Sequence, residues 1–168
     1  MCDYSSILWD VLKYMKETEG NYWGVVGAAI VDGENQMISM SKKESEGSYL
    51  HAERNAFEQF VDKFGEPSDD AFAVTTLSPC QRGSDARIGS SCTDLLVSNK
   101  IDTVYTGFVD PWQIPIELYE EYGLTVIETD DEELRMYCEE LFEYFPRTVN
   151  ENEDIDARQF VNDVLESV

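Results

Sequence analysis

From Ala71 to Phe145 the chain alternates short apolar runs rich in β-branched residues with stretches of helical periodicity, and this alternation restricts the fold more than any other feature. Ala71–Leu77, Thr103–Val109 and Leu124–Thr129 read as strands. Cys92–Val97, Ile116–Tyr122 and Asp131–Phe145 read as the helices between and after them. Strands separated by helices favour parallel pairing through crossover connections, because a tight hairpin joins only antiparallel neighbours. The second half therefore predicts an α/β sheet whose last strands are parallel.

The first half adds two more strands and two more helices. Ser5 and Ser6 can cap a helix carrying Ile7, Leu8, Val11, Leu12 and Met15, with Gly20 as its stop. Val25–Val31, the Asp32-Gly33 turn and Gln36–Ser41 read as a hairpin. Ser41–Tyr49 is polar and contains Gly47, so it reads as a loop before a helix from about Leu50 to Phe64. His51 and Glu53 then fall in the first turn of that helix. The whole predicts a three-layer α/β/α fold around a mixed sheet of about five strands. Residues 1–146 would form one domain, and residues 147–168 an acidic linker followed by a short amphipathic helix holding Phe160, Val161, Val164 and Leu165.

Composition narrows the function. No apolar run approaches the roughly 18 residues of a membrane span, and Met1-Cys2-Asp3-Tyr4 lacks the basic start of a secretory signal, so the expectation is a soluble cytoplasmic protein without a membrane partner. The net charge of -23, from 35 acidic and 12 basic residues, repels polyanions and disfavours nucleic acid as a partner. It does not oppose a small substrate. Four cysteines are too few for a disulfide scaffold, and metal binding is the better reading of them.

The residues that carry chemistry are His51-Ala52-Glu53 opening a helix, and Pro79-Cys80 ending a strand with Cys92 at the start of a later helix. One imidazole and two thiolates make three of the donors zinc prefers, and three protein donors leave a fourth position for water. Glu53, two residues from His51, can lie beside that water and move its protons. Cys138 falls on an apolar helix face with Leu134, Leu141 and Phe142, which predicts a place in the core.

This order of H-x-E and P-C with a later cysteine resembles the zinc-dependent cytidine deaminase-like superfamily, whose signature is H-x-E followed by P-C-x-x-C. Within it the riboflavin-pathway pyrimidine deaminases and transfer-RNA adenosine deaminases are the nearest division, since their last strands are parallel. The resemblance implies that His51, Cys80 and Cys92 bind Zn2+, that Glu53 is catalytic, and that the protein is a hydrolase acting on C–N bonds of cyclic amidines. It runs over roughly residues 5–145, and Tyr105–Pro111 looks like the end of the family's fourth strand.

Two departures bear on the substrate. Eleven residues, Gln81–Ser91, separate the cysteines where the compact signature has two, an enlargement that riboflavin-pathway members share. Ser41-Lys42-Lys43 stands where many members carry a substrate-binding asparagine. Lys43, Arg82 and Arg87 are candidates to meet an acidic substituent, against the alternative that they are solvated charges. Trp23, Tyr49 and Trp112 are aromatic faces available to a heterocycle or to the core. A free pyrimidine-type base, nucleoside or nucleotide is the favoured substrate. The rivals are a deaminase of RNA or single-stranded DNA and a catalytically inactive zinc-stabilised binding protein; monomer and homo-oligomer are both open.

Overall fold

The computed structural model describes residues 3–18, 22–45, 48–81 and 91–168. Helix α1 (Tyr4–Glu17) is capped by Asp3, whose carboxylate accepts from the backbone N–H groups of Ser5 and Ser6, so the cap lies before the serines the sequence suggested. Its Ile7, Leu8, Val11, Leu12 and Met15 are buried, as their spacing predicts. Strands β1 (Tyr22–Asp32) and β2 (Asn35–Ser45) pair antiparallel across a turn where Gly33 takes a φ of 61°.

The segment read as a loop after Ser41 is instead strand. β2 continues to Ser45 and a short strand β3 (Ser48–Leu50) pairs with it antiparallel, Lys42 opposite Leu50 and Lys43 opposite Tyr49. A sheet edge facing water needs no alternation of apolar residues, which is why polarity alone disguised it. Helix α2 (Ala52–Phe64) follows directly, with His51 as its N-cap residue and not in its first turn.

Strand β4 (Phe72–Leu77) pairs antiparallel with β1 on one side and parallel with β5 (Thr103–Phe108) on the other. Helix α3 (Cys92–Ser98) makes the crossover between them, and β6 (Thr125–Glu128) adds a second parallel pair beyond β5. The sheet order is β3-β2-β1-β4-β5-β6, six strands where five were expected, the additional one being the three-residue edge β3. The last strands are parallel as the alternation required.

Residues Ile116–Tyr122 form a 3-10 helix closed by Gly123 in the left-handed region. The single helix expected from Asp131 to Phe145 is two: α4 (Glu132–Phe142) and α5 (Tyr144–Val149). Pro146 explains the break, since it has no N–H to offer the Phe142 carbonyl and its ring crowds that position. Helix α6 (Ala157–Val164) starts at Asp156, which caps the Gln159 N–H. No helix among the described residues is long and apolar enough to cross a membrane.

Two cores flank the sheet. On one face Leu8, Leu12 and Met15 of α1 meet Leu134, Cys138 and Leu141 of α4 and Val161 of α6, joined by Leu165 just beyond it. On the other, Ala52, Ala56 and Phe60 of α2 meet Leu96 of α3 and Tyr119 of the 3-10 helix. Cys138 is buried, and burial pushes its thiol up to about 12, so it packs as an apolar group.

At Gly107, in β5, a Cβ would lie 2.8 Å from Cys138 Cβ, nearer still to its sulfur, and 3.3 Å from a Leu8 methyl. Gly107→Ala is therefore expected to destabilise the fold by about 1–3 kcal/mol in denaturant unfolding. Adding Cys138→Ala recovers part of that loss; equal losses in the single and double variants would show that the approach of α4 to β5 is not the cause.

Candidate functional site

The site forms where β3, β4 and β5 hand the chain to helices. His51 enters from β3 with extended backbone (φ -66°, ψ 152°), and its carbonyl takes the first helical hydrogen bond, from Asn55 at 2.9 Å. Its imidazole does not cap the helix. Helix α2 is tied to β2 through polar side chains: Asn55 Nδ2 donates to the Met40 carbonyl at 2.8 Å, and Gln59 Nε2 donates to Ser39 Oγ and Asn55 Oδ1. These bonds fix the start of α2, and with it both His51 and Glu53, against the sheet.

Cys80 stands three residues beyond β4, and Cys92 is the first residue of α3. Helix α3 starts where the sequence predicted because Ser91 and Asp94 form a reciprocal capping box. Both cysteines thus come from the one connection between β4 and β5, on either side of residues 81–91. Cys80 Sγ lies 3.5 Å from His51 Nδ1, Cys92 Sγ lies 3.4 Å from the same nitrogen, and the three donor atoms are all within 4.8 Å of one another. The Cys92 backbone N–H points at Cys80 Sγ at 3.2 Å.

This arrangement fits zinc on its own terms. With Zn–S of about 2.3 Å and Zn–N of about 2.0–2.1 Å, neighbouring donors of a tetrahedral site stand about 3.5 Å apart. The observed sulfur–nitrogen separations match that edge. The thiols are also matched to a cation. The Cys92 thiol, by donating to it, holds Cys80 down at about 5 despite burial, with His51 adding to the effect. Cys92 itself is pushed well above the usual thiol range by the neighbouring Cys80 sulfur, then by burial and by Glu53. The Cys80 thiolate, the Cys92 thiol and the Glu53 carboxyl crowd one another here, and a divalent ion favours the deprotonated form of each.

Glu53, in the first turn of α2, is only 3% exposed. Burial lifts its carboxyl from 4.5 to about 7, the Cys80 thiolate adding to the rise and His51 opposing it. A carboxyl poised near neutrality can both take and return a proton.

The remaining sequence candidates fare differently. Lys43 is exposed on β2 opposite Tyr49. Arg82 and Arg87 lie outside the described residues, as do the side chains of Trp23 and Tyr49. Trp112 is 49% exposed, its ring set edge-on against Phe142. Sequence reasoning passed over Asp110, Gln113 and Tyr119. Asp110 is buried near Cys80; it accepts from the Trp112 N–H at 2.8 Å, and burial raises its carboxyl. Its position just after a parallel strand, before a proline, is a signal that was available. For Gln113 and Tyr119 no local pattern existed, because their partners are distant in sequence.

Comparison with known proteins agrees with this geometry. The model of the "cytidine and deoxycytidylate deaminase zinc-binding region" matches residues 4–108. A diaminohydroxyphosphoribosylamino-pyrimidine deaminase of Schizosaccharomyces pombe is 33% identical over 110 residues, covering 61% of this chain and 26% of that protein. The structure of a diaminohydroxyphosphoribosylaminopyrimidine deaminase/5-amino-6-(5-phosphoribosylamino)uracil reductase from Thermotoga maritima superposes with a TM-score of 0.64 at 25% identity, over 89% of this chain and 42% of that one. The chain thus spans about a quarter and two fifths of these two relatives. The dCMP deaminase of cyanophage S-TIM5 shares the fold, with a TM-score of 0.51 at 19% identity over 74% of this chain and 98% of that one. With the family's match covering well over half the chain, this protein belongs to the zinc-binding cytidine and deoxycytidylate deaminase family.

Proposed function

We propose that this protein is a zinc-dependent hydrolytic deaminase that removes the exocyclic amine of an aminopyrimidine carried on a phosphorylated sugar. The observation that carries the reading is the convergence of His51 Nδ1, Cys80 Sγ and Cys92 Sγ beside the buried carboxyl of Glu53. Likeness to the two pyrimidine deaminases supports the ring and its phosphoribosyl group. The charge of -23 supports a free substrate over a nucleic acid.

In this reading His51, Cys80 and Cys92 hold the metal, and Glu53 moves the protons. Bound there, zinc would supply a water whose pKa is lowered toward 7. Glu53 accepts a proton from the attacking water through a carboxylate oxygen and delivers it to the ring nitrogen beside the reacting carbon. The water oxygen bonds to that carbon; Glu53 then takes the remaining proton from the new hydroxyl and passes it to the amine, the carbon–nitrogen bond breaks, and ammonia leaves as the hydroxyl becomes a carbonyl. Its burial keeps bulk water from intercepting those protons. Arg82 and Arg87, in the segment joining Cys80 to Cys92, meet the phosphate, for which the forked guanidinium is suited.

The purified protein is expected to hold close to one zinc per chain by elemental analysis, and His51→Ala and Cys80→Ser each to lose it. Ammonia release on a panel of bases, nucleosides, nucleotides and phosphoribosyl aminopyrimidines tests the activity; release from short oligonucleotides alone would overturn the free-substrate reading.

Glu53→Gln is expected to lower kcat/KM by at least about 10²-fold with zinc content unchanged. In zinc-free protein the same change has a pH signature. Between about 4.5 and about 7 the folded protein holds on Glu53 a proton that the unfolded chain releases, so rising pH costs wild type stability that the variant keeps. The advantage of the variant in chemical denaturation should grow across that window toward about 3 kcal/mol, and a pH-independent difference would contradict the buried carboxyl.

Arg82→Ala/Arg87→Ala is expected to raise KM for a phosphorylated substrate about tenfold or more over its effect on the unphosphorylated analogue, with zinc retained. An equal loss on both substrates removes these residues from phosphate binding.

A further inference from the structure

The segment after β5 reaches back to Cys80, three residues beyond β4, and takes hold of its chain neighbours one by one. The Ser78 N–H donates to the Phe108 carbonyl at 3.0 Å, extending the β4–β5 ladder one residue past the end of β4. Ser78 Oγ accepts from the Asp110 N–H at 2.8 Å. The Pro79 carbonyl accepts from the Tyr119 hydroxyl at 2.6 Å, and the Gln81 N–H donates to Gln113 Oε1 at 3.0 Å. On the remaining side the Cys80 carbonyl accepts from the Thr93 N–H at 3.0 Å, at the head of α3.

Ser78, Pro79 and Gln81 are thus held by residues 108–119, and Cys80 by α3. Pro79 cannot donate a hydrogen bond, so its carbonyl is the one polar group through which that residue is fixed. Tyr119 supplies the fixing from a side chain with 0% exposure, and its phenol is pushed up to about 12, first by burial, so it remains a donor. Asp110, Gln113 and Tyr119 all lie beyond residue 108, where the family's match ends. The alternation of helix and strand accounts for none of these three bonds.

We infer that Tyr119 and Gln113 are positioning residues for the Cys80 sulfur, a clamp from outside the matched region that sets the affinity of the metal site. The inference rests on the reading of His51, Cys80 and Cys92 as zinc ligands. A ligand delivered by a stretch that belongs to neither helix nor strand has no helix of its own to fix its rotamer and direction; the hydrogen bonds on either side of it do that work. Residues that orient metal ligands in this manner typically set affinity by about 10–100-fold.

Tyr119→Phe keeps the buried ring and removes the one hydroxyl. Tyr122→Phe, on the same 3-10 helix but 43% exposed, is its control. Zinc affinity is measured by chelator competition, and the cobalt-substituted proteins are compared through their sulfur-to-cobalt charge-transfer band, at a temperature where the metal-free proteins are folded by circular dichroism. The expected result is a loss of zinc affinity of about tenfold or more and a shifted cobalt band for Tyr119→Phe, and wild-type values for Tyr122→Phe. Gln113→Ala, at the other end of the clamp, is expected to weaken zinc in the same direction and decides the question should Tyr119→Phe not fold. A merely structural tyrosine would lower the melting temperature of the metal-free protein while leaving affinity and band unmoved. Zinc affinity within threefold of wild type in Tyr119→Phe, or in Gln113→Ala where that variant decides, overturns the clamp. Wild type that binds no zinc at all overturns the ligand reading beneath it, and the two failures are told apart by the wild-type titration.

Discussion

The parallel pairing of β4 with β5 is the constraint on which the rest of the molecule depends. It runs in register from Ala73 opposite Val104 to Leu77 opposite Phe108, and a further bond from the Ser78 N–H to the Phe108 carbonyl carries it to within two residues of Cys80. Parallel neighbours require a crossover, and α3 is that crossover. A crossover in a parallel sheet begins at the carboxyl end of one strand, the end where α/β proteins gather their functional groups. The sulfur that leaves β4 and the sulfur that opens α3 are brought together by the Thr93-to-Cys80 backbone bond and by the Cys92 N–H on the Cys80 sulfur.

The antiparallel half of the sheet supplies the other side of the site. β1 joins β4 to the hairpin, and the short β3 turns the chain so that His51 enters α2 beside the two cysteines. Asn55 and Gln59 then tie α2 to β2 by hydrogen bonds, which keeps the histidine at a fixed distance from a strand that it does not belong to. The same tether carries Glu53 into its buried position. Hydrophobic burial alone would let a short amphipathic helix slide by part of a turn; directional bonds to the Met40 carbonyl and Ser39 hydroxyl oppose that sliding.

Much of this was legible in the sequence, for reasons that separate cleanly. Strands β4, β5 and β6 and the apolar faces of α1 and α2 announce themselves because burial imposes a period on the residues. His51, Glu53, Cys80 and Cys92 were legible because their side chains are the chemistry, whatever the length of chain between them. What stayed hidden was either polar and edge-facing or non-local. β3 and the end of β2 carry no apolar alternation: Lys42 and Lys43 are successive strand residues and both are exposed. The break before α5 follows from Pro146, a signal that was present in the sequence and was outweighed by the apolar periodicity of Leu134 to Phe145. Tyr119 looks like one more apolar residue of a helix; its hydroxyl acquires a role only when folding sets it against Pro79, forty residues earlier in the chain.

The central claim is that one zinc is held by an imidazole and two thiolates with a light atom completing the shell. Extended X-ray absorption fine structure at the zinc edge of the purified protein measures that shell directly. The account predicts two sulfur atoms at about 2.3 Å and two nitrogen or oxygen atoms at about 2.0–2.1 Å. A shell of light atoms alone, or one of four sulfurs shared between chains, would contradict it.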